Sequence, residues 1–224
     1  MQLRNLTHAL LLAGSAFGTA AADESFDTLA IHLEQNATDG DAEVVIKATS
    51  NAGGLSALEV VAPDGRALLN FESPDSKLGI RSFSLESPEP SNDGRVQADF
   101  PTGAYRVSGT AVSGSKLAGE STLSHALPAT VTITKPADGQ EGVPVNGLVT
   151  TWSAVPGMKQ LILILEDEDT EMEMAVDLPA EATTFRVPDG WMRPGVEYKL
   201  AVGTVAADGN RSFVEIGFET AGAD

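Results

Sequence analysis

The sequence predicts an all-β protein: two tandem β-sandwich domains after a cleaved signal peptide. Three observations predict it. Short runs of β-branched and other apolar residues recur along the chain, divided by Gly, Pro, Asn and Asp turn chemistry. No stretch after residue 22 sustains an apolar 3.6-residue period over three turns. The 22 Gly and 12 Pro are scattered at intervals that would interrupt such helices.

Residues 1–22 read as a secretory signal. Arg4 supplies the positive start, Ala9 to Phe17 a short apolar run, and Ala20-Ala21-Ala22 the small residues for cleavage before Asp23. The run is too short to span a bilayer as a permanent helix, and no spanning-length apolar run follows. The expectation is a bacterial protein that is periplasmic or secreted and has no integral membrane association.

In the first domain, expected at residues 23–127, the strands in order are Leu29–Leu33, Glu43–Thr49, Ala57–Val61 and Ala67–Phe71. The last two flank Pro63-Asp64-Gly65, a hairpin turn. Ile80–Leu85 follows, with Ile80, Phe83 and Leu85 as core candidates. Arg95–Phe100, Ala104–Gly109 and Ser121–Ala126 complete the set. Asn51–Gly54 and Ser87–Gly94 are loops. Seven or eight strands at this spacing suit a sandwich.

The second domain, expected at residues 128–224, begins near Leu127-Pro128 after a short link. It carries Pro136 and Gly139 after its first strand, Trp152 on the second and Leu161–Leu165 on the third. Thr184–Val187 is the fifth strand. Pro194-Gly195 and Tyr198 then lead into Leu200–Val202, and Gly209-Asn210 turns into Ser212–Thr220. This pattern, over about residues 128–220, resembles a fibronectin type III module. The resemblance implies a Trp packed in the core and a Tyr that fixes a corner by hydrogen bonding. It implies no reaction, because the fold hosts many binding roles. No Arg-Gly-Asp occurs. The first half resembles bacterial immunoglobulin-like domains more loosely, through Pro63-Asp64-Gly65 and Gly103–Val107.

The chain has 224 residues, no Cys and a formal charge of −18. Disulfides, thiolate metal sites and a lipidated N-terminal Cys are therefore excluded. The acidic surface repels phosphate backbones, so no nucleic-acid partner is expected. Catalytic residues are none: the sequence has no Gly-x-Ser-x-Gly elbow, no His-Glu-x-x-His and no phosphate loop. His32 and His125 each sit alone in an expected strand. The triplets at Asn36 and Asn210 read as chance sequons.

No cofactor is required by this pattern. Calcium is the one candidate, since hard cations take carboxylate oxygens. Two stretches offer them: Asp39, Asp41 and Glu43 around Gly40, and Glu166, Asp167, Glu168 and Asp169 where the third strand should turn. Neither matches the twelve-residue helix–loop–helix calcium pattern.

A surface gives the sharper expectation. A strand with one wet face should alternate, yet Leu161–Leu165 is apolar on both faces. Leu161, Leu163 and Leu165 can fill the core, which leaves Ile162 and Ile164 outside. In the resembled fold the third, sixth and seventh strands share a sheet, so Ala201 and Phe213 should join them. Met172 and Met174 on the next short strand could extend the group. Such a face predicts cover by the first domain, by a protein partner or by a second copy in a homodimer. A glycan ranks lower, because aromatic residues make up only 5% of the chain. The leading reading is an exported, non-catalytic binding or structural protein. The alternative is a cation-dependent carbohydrate-binding protein or small hydrolase using loop carboxylates.

Overall fold

A computed structural model describes residues 24–50, 53–75, 77–89 and 93–223. The expected signal segment lies outside the described residues. So do parts of the two expected loops, at residues 51–52 and 90–92.

The described chain is built from strands and one short helix. The first half contains β1 (Thr28–Asn36), β2 (Asp41–Thr49), β3 (Leu55–Val61), β4 (Ala67–Glu72), β5 (Ser82–Glu86), α1 (Asp93–Asp99), β6 (Gly103–Ala111) and β7 (Lys116–Leu123). The second contains β8 (Ile133–Lys135), β9 (Gln140–Val143), β10 (Val149–Trp152), β11 (Gln160–Asp167), β12 (Met172–Pro179), β13 (Thr184–Arg186), β14 (Glu197–Val205) and β15 (Arg211–Thr220). The all-β class is as the sequence predicts. The β3–β4 hairpin turns at Pro63-Asp64-Gly65: Gly65 takes φ +86°, and Asp64 Oδ1 accepts the Arg66 N–H at 3.0 Å.

Three local expectations are corrected. Arg95–Phe100 is largely helix, not strand: α1 ends at Asp99, and the Phe100 N–H donates to the Val96 carbonyl at 2.9 Å. Val96 and Phe100 stand four apart, so one helical face delivers both to the first core. Leu85 is not a core residue but 36% exposed, because β5 is the outermost strand of its sheet among the described residues. The last strand of the first half ends at Leu123, so His125 lies outside it, with ring Nε2 2.8 Å from the Phe100 carbonyl.

Two hydrophobic cores form. One gathers Ile31, Leu33, Val44, Ile46, Leu58, Val60, Tyr105 and Leu123, between strands β1, β2 and β5 and the sheet β4-β3-β6-β7. The other gathers Trp152, Leu161, Leu163, Leu165, Tyr198, Leu200, Val202 and Phe218. It lies between β13-β10-β8 and β12-β11-β14-β15. Each fully buried large side chain contributes about 1.5–3 kcal/mol. Trp152 is in the core as expected, with its indole N–H donating to the Ala182 carbonyl at 2.9 Å.

The two Tyr of the chain play the same part in the two halves. The Tyr198 hydroxyl accepts the Arg193 N–H at 2.7 Å, five residues upstream. The Tyr105 hydroxyl donates to the Pro101 carbonyl at 2.9 Å, four residues upstream. Each ties the loop before a strand to that strand's buried face. Burial pushes the Tyr105 hydroxyl up to about 12.

The largest sheet belongs to neither half alone. Its order is β12-β11-β14-β15-β1-β2-β5, with β9 also pairing β15. The first three residues of β15 pair in parallel with β1, through Glu34↔Arg211, Gln35↔Ser212 and Asn36↔Phe213. Its far end pairs in parallel with β9. The tip of the β1–β2 hairpin continues the contact: Ala37 N–H donates to the Phe213 carbonyl at 2.8 Å, and Glu215 N–H to Thr38 Oγ1 at 2.9 Å.

Asn210 locks the junction from below. Its Oδ1 accepts the Leu33 N–H at 2.8 Å, and its amide nitrogen reaches the Ser124 and Ala126 carbonyls, each at 3.1 Å. Beside it, the Arg211 guanidinium donates to Glu34 at 3.2 Å, with the His32 ring 3.3 Å from the same oxygen. Burial disfavours the Glu34 charge, but His32 and Arg211 outweigh it and hold its pKa below the ordinary value.

Candidate binding groove at the module junction

The outer face of the shared sheet can be read row by row from the strand register. In β11 the alternation holds to its end: Leu161, Leu163, Leu165 and Asp167 are buried, while Ile162, Ile164 and Glu166 face out and are half-buried. Ile164 stands opposite Ala201 on β14, and Ala201 opposite Glu215 on β15. One row over, Ile162 stands opposite Gly203, Gly203 opposite Phe213, and Phe213 opposite Asn36 on β1. That row therefore crosses from the second module into the first.

Gly203 makes the apolar floor possible. A Cβ added there would meet the Phe213 ring at 2.4 Å, so the ring occupies the space a side chain would fill. Ala201 and Phe213 are consequently buried, at 7% and 8% exposure. We expect Gly203→Ala to lift the ring and cost about 1–3 kcal/mol. The check is a denaturant melt of the variant, which should keep the wild-type m-value.

Above this floor is a groove of about 240 Å³. Ile164, Ala201 and Phe213 form its base. Its walls come from both modules: Glu34, Asp41 and Glu43 from the first, Glu166, Glu173 and Glu215 from the second. Among the described residues, Lys199 is the single base that lines it. Glu215 first, then Glu168 and Glu166, raise the Lys199 pKa.

The acids repel one another. Glu34 and Glu43 are direct cross-strand partners on β1 and β2, an unfavourable like-charge pair. Burial first, then Glu86, Glu34, Glu89 and Asp41, push the Glu43 carboxyl up to about 7. The folded protein thus keeps a proton on Glu43 that the unfolded chain releases near 4.5. Stability from this group is intact below about 4.5 and declines as pH rises to about 7. Glu43→Gln should match the wild type near the lower value and exceed it by about 1 kcal/mol above the upper one, after discount for partial exposure. Chemical denaturation at pH 5 and pH 8 measures the difference.

The sequence-predicted face is only partly reproduced. Ile164, Ala201 and Phe213 come together, and Ile162 stands in the adjoining row. Met172 and Met174 do not join them. Met174 is opposite Leu165 and packs on the second core, and Met172 is opposite the core-facing Asp167. Their neighbour Glu173 takes the outer position instead. The first module covers Phe213 from the side through the β1–β2 hairpin and leaves Ile162 and Ile164 half open.

The candidate calcium ligands are used otherwise. Asp167 is fully buried. It takes two hydrogen bonds from the Arg193 guanidinium, at 2.8 and 2.6 Å, one from the Tyr198 hydroxyl at 3.2 Å, and the N–H groups of Asp169 and Thr170. Arg193 above all holds its pKa well below the usual carboxylate range. Asp169 lies 3.4 Å from the same guanidinium, and Glu168 3.6 Å from Lys199. Asp39 accepts the Asn36 amide at the hairpin tip. Asp41 and Glu43 line the groove. Among the described residues, no three His, Asp or Glu side chains gather as a cation site. The role of Asp167 was legible in the alternation, which puts it on the same face as Leu161, Leu163 and Leu165.

No family model and no curated protein matches the chain. Among solved structures it is similar to the fibronectin(III)-like modules of Clostridium thermocellum CbhA, at 10% identity, 92% of this chain, 93% of that one and a TM-score of 0.36. It is also similar to a segment of two fibronectin type III domains from chicken tenascin, at 12% identity, 88% of this chain, 100% of that one and a TM-score of 0.33.

Proposed function

We propose that this chain is an exported, non-catalytic binding protein whose two modules act as one platform. Its working surface is the outer face of the shared sheet, and its partner is another protein. One observation carries the reading: an apolar-floored groove whose walls are supplied by both modules, so that the site exists only when they are joined. Apolar floor left half open on a soluble surface is characteristic of contact sites. Export rests on the signal pattern of residues 1–22, with action in the periplasm or outside the cell. No helix among the described residues is long and apolar enough to cross a membrane.

The test is position-specific crosslinking in the native envelope. A photoreactive residue in place of Ile164 should yield a discrete adduct, lost on competition with unlabelled wild-type protein. The same residue in place of Lys135, exposed on the opposite sheet, should not. Equal labelling from both positions, or none from position 164, contradicts the reading. Turnover of any substrate at a rate above background contradicts its non-catalytic part.

A further inference from the structure

We infer that the groove takes a cationic, amphipathic protein segment: one large apolar side chain set on Ile164 and Phe213, flanked by Lys or Arg side chains that meet the walls. The inference rests on the reading above and names the chemistry of the partner.

Three features of the groove select that occupant. Its base is apolar and largely dry, since Phe213 and Ala201 are more than nine-tenths buried while Ile164 stays half open. An apolar side chain placed there completes the cover. Acids from both modules line the groove, Glu34, Asp41 and Glu43 from the first and Glu166, Glu173 and Glu215 from the second. Among these six, Glu34 alone forms a salt bridge within 4 Å to a Lys or Arg of the described residues, Arg211. Asp41, Glu166, Glu173 and Glu215 offer carboxylates that a bound ammonium or guanidinium would neutralise, at low local dielectric and with direct hydrogen bonds. Glu43 would ionise beside such a cation, which offsets the burial and the neighbouring acids that hold it toward the neutral form.

The same charges exclude the other occupants. A second copy would bring its own −18 and its own acid-walled groove, so that like faces like. An acidic or neutral apolar segment would bury these carboxylates without compensation. The groove, at about 240 Å³, has room for one large side chain and its flanks rather than a helix face. An extended segment with alternate residues pointing in fits that width.

The probe is a fluorescein-labelled nine-residue peptide alternating Lys and Leu, read by anisotropy against the full chain at low and moderate salt. Two control peptides replace Lys by Glu, or Leu by Ser. Binding of the Lys–Leu peptide is expected to be at least tenfold tighter than that of either control and to weaken with salt. Ile164→Ser and the double variant Glu43→Gln with Glu166→Gln should each weaken it fivefold or more. Neither change removes a core side chain, and circular dichroism checks folding. Equal binding of the Lys–Ser peptide means diffuse attraction to an acidic chain and overturns the inference. So does preferred binding of the Glu–Leu peptide, or wild-type affinity in both variants. A crosslinked partner at position 164 with no peptide preference sinks the cationic segment alone and leaves the binding platform standing. Peptide preference with no adduct at position 164 does the reverse.

Discussion

Asp167→Ala is expected to lower the melting temperature by roughly 10 °C. Asp167 is fully buried and is the acceptor for Arg193, Tyr198 and two backbone N–H groups. Removing it strands all of these donors at once. The Arg193 guanidinium loses its main partner, and the Tyr198 hydroxyl loses the acceptor that orients it toward the Arg193 N–H. Arg193→Ala should be at least as severe, because it leaves a charged carboxylate in the core with no counter-ion. The pH dependence follows from the direction of the shift. Arg193 depresses the Asp167 pKa from the ordinary 3.8. Its stabilisation is therefore complete above that value and is lost as pH falls toward the depressed one. Asp167→Asn should flatten the acid limb of the stability curve below about pH 4. Thermal melts of wild type, Asp167→Ala and Asp167→Asn at pH 7 and pH 3 decide it. A wild-type melting temperature for Asp167→Ala would mean that the cluster contributes nothing.

Asn210→Ala should cost about 3 kcal/mol, and it should do so between the modules rather than inside either. The side chain is 1% exposed. Its loss leaves the Leu33 N–H and the Ser124 and Ala126 carbonyls without this partner. Every one of those groups belongs to the first module or the link, while Asn210 itself sits in the turn just before β15. The predicted signature is therefore a change in cooperativity. Calorimetry of the wild type should show one transition, and that of the variant two, as the modules uncouple. Limited proteolysis should then cut near residues 124–130. A single transition in the variant, shifted or not, would show that the β1–β15 pairing suffices without the clamp.

These effects were legible to different degrees. Strand positions in the second module follow local signals, the alternation in Leu161–Leu165 and the turns at Pro194-Gly195 and Gly209-Asn210. That same alternation locates Ile164; it needs carrying only two residues further to put Asp167 inside, where the sequence reading made it a calcium candidate. Met172 and Met174 were misplaced because the turn between β11 and β12 sets their parity. Glu171 takes φ +56° in that turn, a conformation no local pattern announced. The run at Arg95–Phe100 supports period 2 through Val96, Ala98 and Phe100 and a helical face through Val96 and Phe100 alone; packing on the first core decided for the helix. The joint between β1 and β15 left the weakest trace. It pairs residues 177 apart in sequence, such as Gln35 and Ser212, along strands whose backbone groups every residue carries. Only the opposite charges of Glu34 and Arg211 hint at it. The acidic walls are visible as composition, and three of them, Asp41, Glu43 and Glu166, belong to the two stretches that read as calcium candidates. Their assembly into a groove needed the joint.

The overlap of β1 and β15 has a mechanical meaning. The two strands run in the same direction and share only three residue pairs, where one ends and the other begins. Together they form a continuous rod of roughly 50 Å at about 3.3 Å per residue. A pull applied at Thr28 and Thr220 stretches that rod along its length. It loads the overlapping hydrogen bonds side by side instead of opening them one after another. Tension would thus be borne jointly across the splice before either sandwich is forced to unravel. The groove sits directly over that splice, so an occupant bridging its walls would act as a rivet.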